Sequence, residues 1–273
     1  IWQWRGFGDL QLQMAESIQL KAKTELGTQG KRPEYRIEAR LKAGKEWLSL
    51  SGFYASSSLV PDLVERQLYL RREKLYEGPS SNIFHNQIGG DLTSDRLGIR
   101  AEVYFHNIEN FRFWQRGDLE PRISNLSLLQ VKTRQKWTWK ALVNENILAY
   151  QATDSQQLPL PRWQGRHNLF LDTRILSRRL HIRTGLEIRY YLNYTAPQFH
   201  PFYGTFFVIQ EAPFDSSPYL LDYFLAFDVQ SFHVLLRMEN LNTFISPTRF
   251  YTLYRHPSNS FGFRLALRWR IPG

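Results

Sequence analysis

The chain has no cysteine among its 273 residues. That absence excludes a disulfide-stapled scaffold, a Cys-ligated zinc site and a thiol nucleophile, and it leaves the redox compartment open. Methionine is nearly missing, at two residues. Long apolar runs are missing as well: only 42% of residues are hydrophobic and mean hydropathy is −0.43. A helical membrane protein is far more apolar, but a membrane β-barrel is this polar because only alternate residues face lipid. The longest nearly uncharged stretch, Tyr190 to Gln210, has the length of a membrane helix. It carries Asn193, Pro197, Gln198, His200 and Pro201 without a helical period, and it reads as strand, turn, strand. No Met and no apolar leader opens the chain; Ile1-Trp2-Gln3-Trp4-Arg5 reads as a mature or truncated N-terminus.

Aromatic residues are abundant, with 19 Phe, 14 Tyr and 8 Trp, and the net charge is +10. A nucleic-acid binder gathers Lys and Arg on one face or in a tail. Here they stand singly between apolar residues along almost the whole chain. The segments Phe111-Arg112-Phe113-Trp114-Gln115-Arg116 and Lys136-Trp137-Thr138-Trp139-Lys140 interleave aromatic and basic residues, as single-strand-binding platforms do. Aromatic girdles at a membrane interface account for both with fewer assumptions.

The spacing is that of strands. Phe261, Phe263, Leu265, Leu267, Trp269 and Ile271 alternate with Gly262, Arg264, Ala266, Arg268 and Arg270. Leu180 to Leu192 repeats the pattern around His181, Arg183, Gly185, Glu187, Arg189 and Tyr191; Leu97 to His106 repeats it around Arg100 and Glu102. Tyr219 to Val229 sets Asp222, Ala226 and Asp228 opposite Tyr, Leu and Phe. Leu10 to Lys23 and Tyr35 to Lys42 follow the same rule. Turn signals separate the runs: Gly27-Thr28-Gln29-Gly30, Gly78-Pro79-Ser80-Ser81, Arg116-Gly117-Asp118, Thr153-Asp154-Ser155 and Pro257-Ser258-Asn259. Roughly 20 residues per strand and connection gives about 12–14 strands. These strands exceed the roughly 5–6 residues usual in soluble sheets. Their apolar faces are aromatic from end to end and their polar faces carry charge. The expectation is all-β: one transmembrane antiparallel up-and-down β-barrel spanning residues 1–273.

Residues 190–271 carry a more specific resemblance. Tyr194, Pro201 and Gly204-Thr205-Phe206-Phe207 lead to Gln210, and Pro218-Tyr219-Leu220-Leu221-Asp222 opens a strand. Arg237-Met238-Glu239-Asn240-Leu241 closes the next, followed by Pro257 and Phe261 to Trp269. In this order the elements resemble the putative porin family of the Bacteroidetes. The resemblance implies an outer-membrane barrel with a transport role and supplies no substrate.

With the apolar side chains turned to lipid, Arg100, Glu102, Arg183, Glu187, Arg189, Asp222, Asp228, Arg237, Glu239, Arg264, Arg268 and Arg270 are predicted to face the lumen. Charge there requires water or partners. Two arrangements satisfy that requirement: a porin-like wet pore for passive passage of small solutes or ions, whose Arg ladders favour anions, or a salt-bridged plug in a structural or accessory barrel of a larger transport or secretion complex. His256-Pro257-Ser258-Asn259 resembles the His-x-Ser-Asn stretch of outer-membrane phospholipases. The Gly-Arg that follows there is replaced by Ser260-Phe261, and Pro257 suits a turn, so no enzyme is expected. The histidines show no metal spacing, Gly89-Gly90-Asp91 opens no phosphate loop, and no cofactor is expected. Asp91 and Asp95 read as a solvated loop. The expected surroundings are the lipid bilayer and lipopolysaccharide, with other outer-membrane proteins as further candidates and no nucleic acid.

Overall fold

The structure, a computed structural model, describes residues 5–269 apart from 30–31, 46, 63–64, 66, 71–72, 79–80, 116–120, 156–159, 178, 202–203, 209–218, 246–250, 254–255 and 258–259. Strand after strand follows the alternation. The long ones are β1 (Arg5–Ala15), β2 (Ile18–Gln29), β3 (Arg32–Lys45) and β4 (Leu48–Leu59), then, past the short hairpin β5 (Gln67–Leu70) and β6 (Glu73–Glu77), β7 (Ile83–Ser94) and β8 (Ile99–Gln115). β9 (Arg122–Trp139), β10 (Leu142–Thr153), β11 (Trp163–Ile175) and β12 (Leu180–Leu192) follow, then the short β13 (Gln198–His200) and β14 (Thr205–Val208). β15 (Tyr219–Val229) and β16 (Phe232–Glu239) lead through a 3-10 turn and the short β17 (Tyr251–Leu253) and β18 (His256–Pro257) to β19 (Gly262–Trp269).

Hydrogen bonding joins thirteen of these into one antiparallel meander, in the order β1-β2-β3-β4-β7-β8-β9-β10-β11-β12-β15-β16-β19. Each strand pairs with the next long strand in the chain, the up-and-down order expected of a barrel. The sheet is not closed on itself: β1 and β19 each have one neighbour. No helix among the described residues is long and apolar enough to cross a membrane, so any crossing is made by strands.

The two ends of the sheet differ. At one end the connections are tight: Glu16-Ser17, Asp95 to Gly98, Lys140-Ala141, Leu176 to Arg179 and Gln230-Ser231. At the other, long segments join β4 to β7, β12 to β15 and β16 to β19. The tight turns without glycine hold Lys140, Leu176, Ser177 and Gln230 at positive φ. Left-handed backbone costs a side-chain-bearing residue about 1–2 kcal/mol, a cost the flanking strands offset by pairing through the turn.

Several strands run beyond their sequence signals. Gly27 to Gln29 lie inside β2, paired with Glu34, Pro33 and Arg32, rather than in a turn. β8, by contrast, begins at Ile99, which leaves Leu97 in the preceding turn; the last strand is described as Gly262–Trp269, and Arg270 and Ile271 lie outside the described residues. Asp91 is a strand residue buried in β7, not part of a solvated loop. At Asn110, with φ 57, β8 carries a bulge: register slips between Ile108 and Phe111, so alternation changes face there.

Candidate functional site

Residues paired across antiparallel strands point to the same side of a sheet, so the register assigns faces. Glu102 pairs with Lys132, Lys136 with Glu145, and Asn168 with both Glu145 and Glu187; Glu187 pairs in turn with Asp222. Arg237 pairs with Arg264, and His233 with Asp228 and Arg268. Followed through, the register sets eleven of the twelve charged residues singled out in the sequence on one face. The twelfth, Arg270, lies outside the described residues.

The charged face holds three separate clusters. The densest is built on β11, β12, β15, β16 and β19. Asp222 is fully buried (0% exposed). Its Oδ2 accepts hydrogen bonds from Arg189 Nη2 and Arg237 Nη2, both at 2.6 Å, and its Oδ1 accepts the Asn240 amide at 2.9 Å. Glu187 accepts from Arg237 at 2.7 Å and from Arg166 at 2.5 Å. Glu239 continues the series to Arg264 at 2.9 Å. Asn242, buried in the 3-10 turn, accepts the Leu221 amide at 3.1 Å. Leu220-Leu221-Asp222 and Arg237-Met238-Glu239-Asn240-Leu241, two of the stretches behind the family resemblance, therefore meet in one network.

A second cluster lies on β3, β4, β7 and β8. Asp91 accepts from Ser51 at 2.7 Å and from Arg40 at 3.3 Å, with Arg100 at 3.8 Å, and Arg100 pairs with Glu102 at 2.8 Å. It opens on a hollow of about 790 Å³ lined by Lys42, Lys45, Thr93 and Asp95 among others. A third crosses the tight-turn end: His181 bridges Asp172 (2.7 Å) and Asp228 (3.3 Å), and His233 pairs with Asp228 at 2.7 Å. Arg100 and Glu102 thus do not join Glu187 and Asp222. Lys132, Arg134 and Arg268 take no part in any ion pair of the described residues. Among those residues no group of three or more His, Cys, Asp or Glu is placed to hold a metal ion.

Sequence reasoning missed Arg40, Ser51, Asp91, Arg166, Asn240 and Asn242. Arg166 stands in a regular alternation, Gly165 to Leu171, that would have revealed it. Asn240 stood in a stretch of the family resemblance without a role assigned to it, and Ser51 and Asn242 gave no signal, since their importance comes from distant partners.

The opposite face is apolar and exposed. Phe263, Leu265, Leu267 and Trp269 project from β19, and Leu169, Leu171, Leu186 and Ile188 from β11 and β12. Indoles gather towards the tight turns, at Trp47, Trp137, Trp139 and Trp269. Tyr150 packs on Trp163 at 4.6 Å near the other end. Such a paired belt is the mark of two membrane interfaces. Within the apolar face, Tyr190 donates to His167, which donates to Asn146 (2.8 Å), which donates to Gln135 (3.4 Å). Each polar group in that line thereby gains a partner.

The Phe111 to Arg116 segment does not extend a girdle. Past the Asn110 bulge, Trp114 is buried against Tyr76 and Phe207, and β14 pairs in parallel with the end of β8. Arg112, also buried, donates to the carbonyls of Glu65 (2.7 Å) and Ser81 (3.1 Å). Burial pushes the Glu65 carboxyl above its ordinary range, against the opposing pull of the Asp62 amide and of Arg112. The described parts of the β4–β7 and β12–β15 connections thus form a packed cap over the end of β8. The side chains of His256 and Pro257, and Ser258 and Asn259 entirely, lie outside the described residues, as does any catalytic geometry there.

A family model described as "Putative porin" matches residues 4–271. No curated protein matches the sequence. Among solved structures, the chain is similar to the copper transporter OprC, with a TM-score of 0.72 at 12% identity over 98% of this chain and 47% of that one. It is also similar to the ferric enterobactin receptor PfeA, with a TM-score of 0.70 at 10% identity over 98% of this chain and 45% of that one. The chain spans about half the length of the solved structures it matches.

Proposed function

The chain belongs to the putative porin family, and from that premise we propose that it forms part of a passive outer-membrane pore whose charged face lines the lumen and favours small anions. It is a bacterial outer-membrane β-barrel protein, and the proposal concerns what its polar face does. The observation that carries it is the segregation of charge: the register sends the eleven described charged residues of the sequence-derived set to one face and leaves aromatic and aliphatic side chains on the other. An Arg turned to lipid at the bilayer midplane would cost roughly 2–4 kcal/mol. The apolar face therefore meets lipid and the charged face meets water.

Within the water-facing side, the acids are largely committed. Asp222, Glu187, Asp91 and Asp228 are each held by two or more basic groups. Lys132, Arg134 and Arg268 keep their charge free for solutes. Fixed cations along a wet wall attract anions and repel cations. The clusters act as rigid wall rather than as catalyst, and no enzymatic step is assigned. The long connections, at the outer surface, are the part of the chain positioned to touch lipopolysaccharide.

The test is conductance in planar bilayers with the protein extracted from outer membranes. Stepwise openings with an anion-favouring reversal potential are expected in a salt gradient. Arg268→Ala should fold normally and move that potential towards cations. Absence of openings, a cation preference, or an anion preference unchanged by Arg268→Ala rejects the proposal.

A further inference from the structure

We infer that the lipid-facing surface of β9, β10 and β11 is where a second copy of this chain docks inside the bilayer, through an isologous contact centred on Asn146. The inference rests on the outer-membrane barrel reading and on the apolar face meeting lipid, and not on conduction.

The first observation is a break in the apolar face. On β12, β15, β16 and β19 that face carries aliphatic, aromatic and Met side chains and one Thr. On β9, β10 and β11 it carries three carboxamides and an imidazole between the aromatic belts. Gln135 pairs with Asn146, Asn146 with His167, and Asn144 with Trp137. Asn146 stands four residues from Tyr150 and four from Leu142, the partner of Trp139. That is roughly 13 Å of strand on either side, which sets the group in the hydrocarbon.

The second observation is unfinished hydrogen bonding. His167 and Asn146 are joined at 2.8 Å, and the Asn146 amide donates to Gln135 Oε1 at 3.4 Å. The series stops there. Among the described residues, Gln135 Nε2 and both ends of the Asn144 amide have no partner, and neither side chain is buried. On the lumen side water would complete them. Hydrocarbon offers neither donor nor acceptor, and a hydrogen bond left unmade there is expensive. Polar side chains at that depth are found against other protein or water.

The chemistry of the group selects the occupant. Acyl chains have no hydrogen-bonding atom to give it. A plug folded into the lumen lies on the other side of the sheet. No carboxylate, ammonium or guanidinium stands among the four side chains, so nothing there matches a charged partner. A carboxamide both donates and accepts. Gln135 and Asn144 therefore complement a second Gln135 and Asn144 brought over by a two-fold axis along the membrane normal, the self-matching that an isologous contact requires. Curved barrel walls meet over few strands, and the polar group is three strands wide. Beside it Leu169 and Leu171, 51% and 48% exposed, supply apolar contact.

Residues 1–273 hold no cysteine, so a single introduced one reports its own surroundings. Leu148→Cys lies on β10 next to the group, opposite Thr133 and Gly165, and leaves every amide in place. The full-length protein, otherwise free of cysteine, is treated in outer membranes with a short membrane-permeant bismaleimide. Leu148→Cys should be joined into a dimer in most molecules. Leu41→Cys, equally lipid-facing but on β3, should give none. Gln135→Leu combined with Asn144→Leu should still insert, lose the dimer formed through Leu148→Cys, and halve the protein mass read by light scattering in mild detergent. No dimer through Leu148→Cys overturns the inference. So does an equal yield from Leu41→Cys, an adduct to a different protein, or a doubled mass that survives both leucines. If the double variant does not insert, Leu148→Cys against Leu41→Cys decides alone. A dimer that passes no current would reject the pore and leave this inference standing; current from single copies would do the reverse.

Discussion

Asp222 has no contact with solvent, and its two oxygens are shared between Arg189, Arg237 and the Asn240 amide. A charge in that position is tolerated only while its partners remain. Asp222→Ala should leave Arg189 with Glu187 alone and Arg237 with Glu187 and the more distant Glu239, and cost about 3–5 kcal/mol. The check is the temperature at which the folded, fast-migrating form is lost on gels. Glu239→Gln is the control: its nearer partner, Arg264, is 70% exposed, Arg237 lies farther off at 3.6 Å, and an exposed pair contributes about 1 kcal/mol or less. If Asp222→Ala melts no earlier than Glu239→Gln, the network is not what holds β12, β15 and β16 in register. At the same scale, Gly165 matters through contact rather than through backbone angle: any side chain here would have to displace the ring of Tyr190. A Cβ there would lie 2.2 Å from the ring of Tyr190, which covers this glycine across the strand pair.

Among the elements, β8 departs furthest from its own pattern. Alternation reads it correctly up to Ile108; the bulge at Asn110 then turns Arg112 and Trp114 into the packed cap, where Glu65 is half-buried beside them. A carboxyl whose pKa is raised on folding binds its proton more tightly in the folded state. Its contribution is complete below the ordinary value near 4.5 and is lost as pH rises from there through the raised folded value. Amide exchange of residues 60–82, corrected for intrinsic rates, should therefore show stronger protection at pH 4.5 than at pH 7. Glu65→Gln should flatten that difference and raise protection at neutral pH. Reduced protection at both values would mean that the carboxylate's bond to the Asp62 amide outweighs its burial.

For the whole molecule, asymmetry between the ends sets the direction of insertion. Outer-membrane barrels keep short turns on the periplasmic side and longer connections outside. By that rule the tight turns, including Lys140-Ala141, are predicted to lie in the periplasm, and the connection from β12 to β15 at the cell surface. An impermeant thiol reagent on intact cells should label Ala196→Cys and spare Ala141→Cys, both becoming reactive once the outer membrane is broken. Labelling of Ala141→Cys alone on intact cells would invert the orientation.

The alternation of side chains was enough to show strands, their faces and a strand number, because a period of two is local and a membrane enforces it residue by residue. Residues 190–271 also carried the family resemblance, since Leu220-Leu221-Asp222 and Arg237 to Leu241 are constrained by one another as well as by the bilayer. What only the tertiary structure decided is non-local. The turns at Lys140-Ala141 and Gln230-Ser231 lack glycine and proline, and their left-handed backbone is imposed by the strands they join. Asp91 looked like a turn residue until Ser51, Arg40 and Arg100, on three other strands, were brought around it. The separation of the charges into three clusters follows from strand stagger, which no single strand records. The order and direction of the thirteen strands in the meander are likewise set by all of them together, a property that no stretch of sequence contains.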